Sequence, residues 1–370
     1  MVQSRIGDVR MRRFYLWIIC FFLLCLLPSC KNKELEIDQL YTEENVKIDG
    51  HKYDLVSYCL NRHGNIKILK LKTSEDELIV PAQIKGHPVA ILGGGETEEG
   101  ECSAWLTDST QVLDKIVVPE GVKLILEDAF KEVAAREIIL PCSLEKLGNW
   151  SFQDSKIVDV IVKGKNTVLG AGAFEDSTLE KVEFPNGFSG EIESECFKGS
   201  NIETFHWPDY QQEENIEKKI EERIFFDCKK LRKIVFPENQ EHIYIGREVL
   251  LYCGPLEAME FPASTKKVTL EHNPCADNFR MGAGTLIFKG KDTELVGCLY
   301  EGKEDYNFIT ASKIVAPKNS KAILFAKKAK KISYMANWIK DDIKRSDPQY
   351  NYSEGFESSI KLAPIEWEAI

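Results

Sequence analysis

Histidine is scarce in this chain: the six residues His51, His63, His87, His206, His242 and His272 stand at no mutual spacing that holds a metal ion. No Cys-x-x-Cys or Cys/His pair has zinc spacing, and the sequence contains neither a Gly-x-Ser-x-Gly elbow nor a His-Glu-x-x-His motif. Gly93-Gly94-Gly95 lacks the Lys-Ser/Thr of a phosphate loop and runs into glutamates that would repel phosphate. Acidic pairs are too abundant to nominate a general acid and base. These absences argue against an enzyme and against any cofactor. Positive charge is also in deficit. A net charge of −11 argues against nucleic acid or anionic lipid as the main partner. Long hydrophobic runs are missing too: Phe14 to Leu27 is an apolar run of 14 residues, where a membrane-crossing helix needs roughly 20.

That run has a different reading. Arg5, Arg10, Arg12 and Arg13 precede it and Pro28-Ser29-Cys30 follows, so residues 1–29 have the basic, apolar and small-residue order of an export signal. Leu27-Pro28-Ser29-Cys30 resembles the lipobox of bacterial lipoproteins, with Pro28 an unusual residue in it. The resemblance implies cleavage before Cys30, a diacylglyceryl thioether on its sulfur and acylation of the new amino group. A plain export signal with an incidental cysteine is the alternative. Several acyl chains make a stable anchor where one is marginal, and residues 30–41 then form a polar tether. Removing residues 1–29, with four arginines and one aspartate, takes the net charge from −11 to −14. This suits a body held off the membrane, at the outer membrane or cell surface, or alternatively facing the periplasm.

What the chain does have is a repeat. Lys115-Ile116-Val117-Val118-Pro119 returns as Glu137-Ile138-Ile139-Leu140-Pro141, Asp159-Val160-Ile161-Val162-Lys163, Lys181-Val182-Glu183-Phe184-Pro185 and Thr204-Phe205-His206-Trp207-Pro208, in three steps of 22 residues and one of 23. A second mark, Ala129-Phe130, Ser151-Phe152, Ala173-Phe174 and Cys196-Phe197, keeps the same steps. Two marks with one period define stacked coils. Each coil holds two extended pieces, the phrase ending in proline and a short apolar piece such as Val122 to Leu126 or Leu144 to Leu147, followed by the phenylalanine and a turn. Alternation directs Ile116 and Val118, Ile138 and Leu140, Val160 and Val162, and Val182 and Phe184 inward.

The expected organisation is an N-terminal β cap over residues 42–77, repeats over 78–317, and a C-terminal cap and tail over 318–370. The cap carries three strand-like pieces, Val46 to Ile48, Tyr53 to Tyr58 and Ile66 to Leu71. Residues 93–103 are an insertion in the first coil, and 209–224 a protruding loop or short helix. Ser320 to Lys344 has helical composition, with Trp338, Ile339 and Ile343 available to plug the last coil. Eight cysteines follow Cys30, an even number that invites disulfides. Cys196, Cys228 and Cys253, however, recur at fixed interior positions of the repeat, which favours mostly free, buried thiols.

These phrases resemble the BspA-like leucine-rich repeat family. The residues that carry the resemblance are Ala173-Phe174, Ser177-Thr178-Leu179 running into Val182-Glu183-Phe184-Pro185, and Cys228-Lys229-Lys230-Leu231 running into Ile234-Val235-Phe236-Pro237. The resemblance covers roughly 78–343 and implies a mainly β, right-handed leucine-rich-repeat solenoid with parallel sheets, exported and often lipid-anchored on Bacteroidetes-like bacteria. Several members are adhesins or ligand-binding surface proteins, and the repeat carries no catalytic residues to transfer.

One stripe remains. The outward strand residues are Val117, Ile139, Ile161, Glu183, His206, Val235, Glu260, Ile287 and Val315, six of them β-branched and apolar on a face that meets solvent. Strand propensity alone is one reading of this stripe; a docking patch for a protein or glycan ligand is the other. The function expected is adhesion or ligand capture by a monomeric surface lipoprotein held to the membrane through Cys30. A structural component of an envelope complex is the alternative.

Overall fold

The computed structural model describes residues 35–94, 112–209, 219–246, 249–250, 252–253, 256–270, 283–296, 298–299, 307–309, 311–328, 330–335 and 360–370. The export signal, Cys30, Cys102, Cys275, most of the 93–103 insertion, Trp338, Ile339 and Ile343 lie outside the described residues.

The chain winds into a β-solenoid of about eight turns, with a single short helix among the described residues, near the C-terminal end. The proline-ended phrases form its front. Glu77–Ile79, Val112–Val117, Ala134–Leu140, Lys156–Val162 and Lys181–Glu183 pair in parallel as one five-stranded sheet. Thr204–His206, Lys233–Val235, Ala258–Phe261, Ala283–Phe288, Ala311–Ala316 and Glu366–Ala369 form a second, six-stranded one. The short apolar pieces form the back, with Leu124–Ile125, Lys146–Leu147 and Val168–Leu169 continuing the sheet that starts in the N-terminal meander Tyr41–Ile48, His51–Leu60 and Ile66–Lys72. Farther along, Lys219–Ile220, His242–Ile245, Lys267–Leu270 and Glu294–Val296 make a separate back sheet.

The core sits between front and back. Ile116, Val118, Ile138, Leu140, Val160 and Val162 are each 2 % exposed or less, and burying one such side chain contributes about 1.5–3 kcal/mol. The repeated phenylalanine stacks along the axis. Phe130, Phe152, Phe174, Phe197 and Phe225 follow one another at centroid distances of 4.9, 5.4, 5.9 and 5.8 Å. Each such pair adds about 0.5–1.5 kcal/mol beyond its burial. Their backbones form a third ladder on the turn side: Phe130 N donates to Ser151 O at 2.7 Å, Phe152 N to Ala173 O at 2.8 Å and Phe174 N to Cys196 O at 2.8 Å. This turn places a residue in left-handed backbone in each of five consecutive described coils, at Asp128, Trp150, Gly172, Glu195 and Arg223.

Both sheets break at the same coil. Among the described residues Lys181–Glu183 has no strand partner in Thr204–His206, and Ile192, bridged to Leu169, has none in Lys219–Ile220. The turn ladder alone crosses, through Glu195 N to Glu222 O, Phe197 N to Ile224 O and Gly199 N to Phe226 O at 3.3, 3.0 and 2.8 Å. Val182 and Phe184, expected inward, are accordingly only partly buried. The inward residues here are aromatic: Phe184 meets Phe205 edge-on at 6.3 Å, and Phe205 meets Trp207 at 5.5 Å.

Three expectations need correction. Of the 209–224 stretch read as a loop or short helix, Lys219–Ile220 is the back strand of its coil and Ile224 is core. Among the described residues of Ser320 to Lys344, the helical reading holds for Lys321–Lys328, capped by Ser320 Oγ, which accepts from Ile323 N at 3.3 Å; Lys330–Met335 is instead a strand. The tail supplies Glu366–Ala369 as the last front strand, with Ile365 buried beside it. Cys59, Cys142, Cys196, Cys228 and Cys253 carry free thiols, buried at 196, 228 and 253 but exposed at 142 and half-exposed at 59. Cys228 Sγ and Cys253 Sγ donate to Phe197 O and Phe225 O at 3.0 and 2.7 Å, the role of a turn hydroxyl.

Candidate binding face

Parallel pairing in register converts the outward residue of each phrase into a continuous row. Ile79, Val117, Ile139, Ile161 and Glu183 are consecutive partners in the first front sheet. His206, Val235, Glu260, Ile287, Val315 and Glu368 are consecutive partners in the second. All nine residues of the sequence stripe therefore lie on one side of the solenoid. The sheet break divides them between Glu183 and His206, where the row is polar. Ile79 and Glu368 join the row although the sequence reading missed them. Ile79 stands two before Pro81 in the same phrase, a signal obscured by the 38 residues to the next strand-ending proline, Pro119. Glu368 carries no such mark.

The apolar segment Ile79–Val117–Ile139–Ile161 is half-buried throughout, and at about 4.8 Å per strand its four residues span ~14 Å. Beside it runs a parallel charged row, Glu77, Lys115, Glu137, Asp159 and Lys181. Lys115 Nζ lies 2.7 Å from Glu137 Oε1, and Lys181 Nζ 2.5 Å from Glu183 Oε1. These hydrogen bonds raise the pKa of both lysines. In the second sheet Lys233 Nζ sits 2.6 Å from Glu260 Oε1, and the hydrogen bond holds that carboxyl below its ordinary value. Both lysines of the first sheet are thus paired, while Glu77 and Asp159 leave a negative excess beside the aliphatic row. His206 is exposed at the edge of the break.

This face offers area and pattern rather than chemistry. Among the described residues no group of three His, Cys, Asp or Glu side chains could hold a metal ion, and no helix is long and apolar enough to cross a membrane.

A family model described as a BspA type leucine rich repeat region matches residues 108–219 and 212–272, in six copies. No curated protein matches the chain. Among solved structures, a leucine-rich repeat protein from Bacteroides ovatus is similar over 70 % of this chain and 69 % of its own, at 16 % identity and a TM-score of 0.38. The leucine rich repeat protein of T. pallidum is similar over 58 % of this chain and 81 % of its own, at 18 % identity and a TM-score of 0.33. A leucine rich cell surface protein from Faecalibacterium prausnitzii is similar over 77 % of this chain and 90 % of its own, at 15 % identity and a TM-score of 0.30.

Proposed function

The chain belongs to the BspA-type leucine-rich repeat family through its central coils, and from that premise we propose that it is a non-enzymatic surface lipoprotein. In this reading it is anchored through Cys30, and its front sheet captures a protein or glycan ligand. The observation that carries the reading is the unbroken row Ile79–Val117–Ile139–Ile161: four β-branched side chains aligned across neighbouring strands, beside two lysines already paired with carboxylates. A partner that covers this row gains apolar burial at about 25 cal/mol per Å² and need not strip water from an unpaired lysine. The row stands on a continuous hydrogen-bonded parallel ladder, so little ordering is required on this side of the interface.

The test is the double substitution Ile139→Asp with Ile161→Asp. Both residues point away from the core, so the variant keeps the wild-type thermal midpoint but loses adhesion of whole cells to host matrix. A folded variant that adheres like the wild type removes the front face from the function and leaves the assembly-component reading. Anchoring is checked separately: palmitate labelling of the protein in cells disappears with Cys30→Ala.

A further inference from the structure

We propose that Trp150 is the stacking platform of a second binding site, on the turn side of the solenoid, and that its ligand is a neutral hexopyranose unit of a glycan. The site shares no residue with the front sheet.

Trp150 adopts left-handed backbone at φ 49°, a conformation bulky L-residues rarely occupy. At the same coil position the neighbours are Asp128, Gly172, Glu195 and Arg223, none aromatic. The left-handed backbone belongs to the turn of the repeat; what is particular to this coil is an indole at that position, 38 % exposed. Trp150 Nε1 donates to Glu175 Oε2 at 3.0 Å, and Glu175, itself 7 % exposed, receives Lys198 Nζ on its other oxygen at 2.6 Å. On the ring's inner side a Cβ added to Gly172 would come within 2.6 Å of Cδ1 and Nε1, so the indole rests directly on that glycine's backbone. A ring fixed by a hydrogen bond and a backbone seat is preorganised, and a ligand that stacks on it need not order it.

The surroundings select the ligand. Lys198 also pairs with Glu195 at 3.2 Å, and Arg223 lies 3.6 Å from both Glu195 and Glu222. Both cations are thus paired, and with Asp154 and Asp176 the carboxylates outnumber them, so the site repels an anionic ligand. The backbone is equally committed: Trp150 N, Phe152 N and Asp154 N donate to Ala171 O, Ala173 O and Glu175 O at 3.0, 2.8 and 2.9 Å. An extended peptide therefore finds no free edge to pair with. A flat apolar face beside exposed carboxylates, Asp154 and Asp176, suits a pyranose. Its C–H face covers the ring, and its hydroxyls bond to the acids.

The test titrates the full chain with cellohexaose and with chitohexaose while following the indole ¹H–¹⁵N resonances of its six tryptophans. The Trp150 resonance, assigned by its loss in Trp150→Phe, should move with one of the two. Trp150→Gly, whose backbone suits the left-handed position, should weaken binding on the order of tenfold and shift Tm by less than about 3 °C. The Ile139→Asp, Ile161→Asp pair should bind the sugar as the wild type does, which keeps this site's failure separate from that of the front face. A Trp150 resonance unmoved by roughly millimolar hexaose of both kinds, or undiminished binding by Trp150→Gly, overturns the proposal. If the glycine variant does not fold, the wild-type titration decides.

Discussion

At the scale of the residue, the repeat acts as a template against which exceptions show. Ser151 occupies the small position before the stacked phenylalanine, where Ala129 and Ala173 stand in the flanking coils. Its hydroxyl is fully buried and has no hydrogen-bond partner. Ser151→Ala should therefore raise stability by about 1 kcal/mol, since it removes an unpaired polar atom without opening a cavity. Urea unfolding reads this directly, and an unchanged or lower midpoint would refute it. The cysteines show the converse case. Cys228 and Cys253 stand where Ser177 does in an earlier coil, and all three donate to a phenylalanine carbonyl. Composition invited disulfides there; position in the coil explains thiols.

At the scale of the element, the N-terminal meander covers the first coil and is locked by one charged cluster. Tyr58 Oη donates to Glu43 Oε1 at 2.6 Å, Lys85 Nζ lies 2.8 Å from the same oxygen, and Tyr41 stacks on Tyr58 at 5.6 Å. Burial pushes the Glu43 carboxyl up, but the hydrogen bonds from Lys85 and Tyr58 and the Lys85 charge outweigh it and hold the carboxyl below its ordinary value. Burial and the bond to Glu43 push Tyr58 up to about 12. The signs follow from linkage. Glu43 stabilises the cap above its unfolded pKa and loses that contribution as pH falls through the lower folded value. Tyr58 contributes below its unfolded pKa, near 10, and loses its contribution as pH rises through about 12. Lys85→Met, which deletes the main favourable partner of Glu43, should move the acid unfolding of the cap to higher pH. The near-ultraviolet circular dichroism of the tyrosines follows it, and an unmoved acid midpoint would show that the pair does not couple to folding.

At the scale of the whole molecule, the solenoid is two stacks joined by a turn ladder and an aromatic layer. In a repeat protein each coil is held by its neighbours, so a coil that loses both sheet ladders on one side is the weakest link. Amides of Lys181–Glu183 and Thr204–His206 should exchange with deuterium at least ~10-fold faster than those of Lys156–Val162, which pairs on both sides. Equal protection across the three strands would mean that the aromatic layer alone holds the stacks rigidly. The break also separates Glu183 from His206 on the front face, so a ligand that bridges both apolar segments would be sensitive to their relative motion.

Much of this was legible from the amino acids in order. Alternation within a strand and a 22-residue period suffice to identify the coil, its inward residues and its outward row, because burial repeats wherever the coil repeats. The sheet break was not legible: Lys181-Val182-Glu183-Phe184-Pro185 and Thr204-Phe205-His206-Trp207-Pro208 fit the phrase as well as their neighbours do, and only packing shows that their rings do not stack flat. The terminal strand Glu366–Ala369 lacks the proline mark and pairs with residues some 50 positions earlier. Trp150 also carries no signal of its own, since its seat is a glycine one coil later and its hydrogen-bond partner is 25 residues away. The sequence by itself determined the periodic and local features, which depend on each residue's place in its own coil. The tertiary structure alone decided what depends on neighbouring coils meeting: register, the interruption and the pinned ring. Those depend on the shapes of side chains that are distant in sequence and adjacent only once the chain has wound.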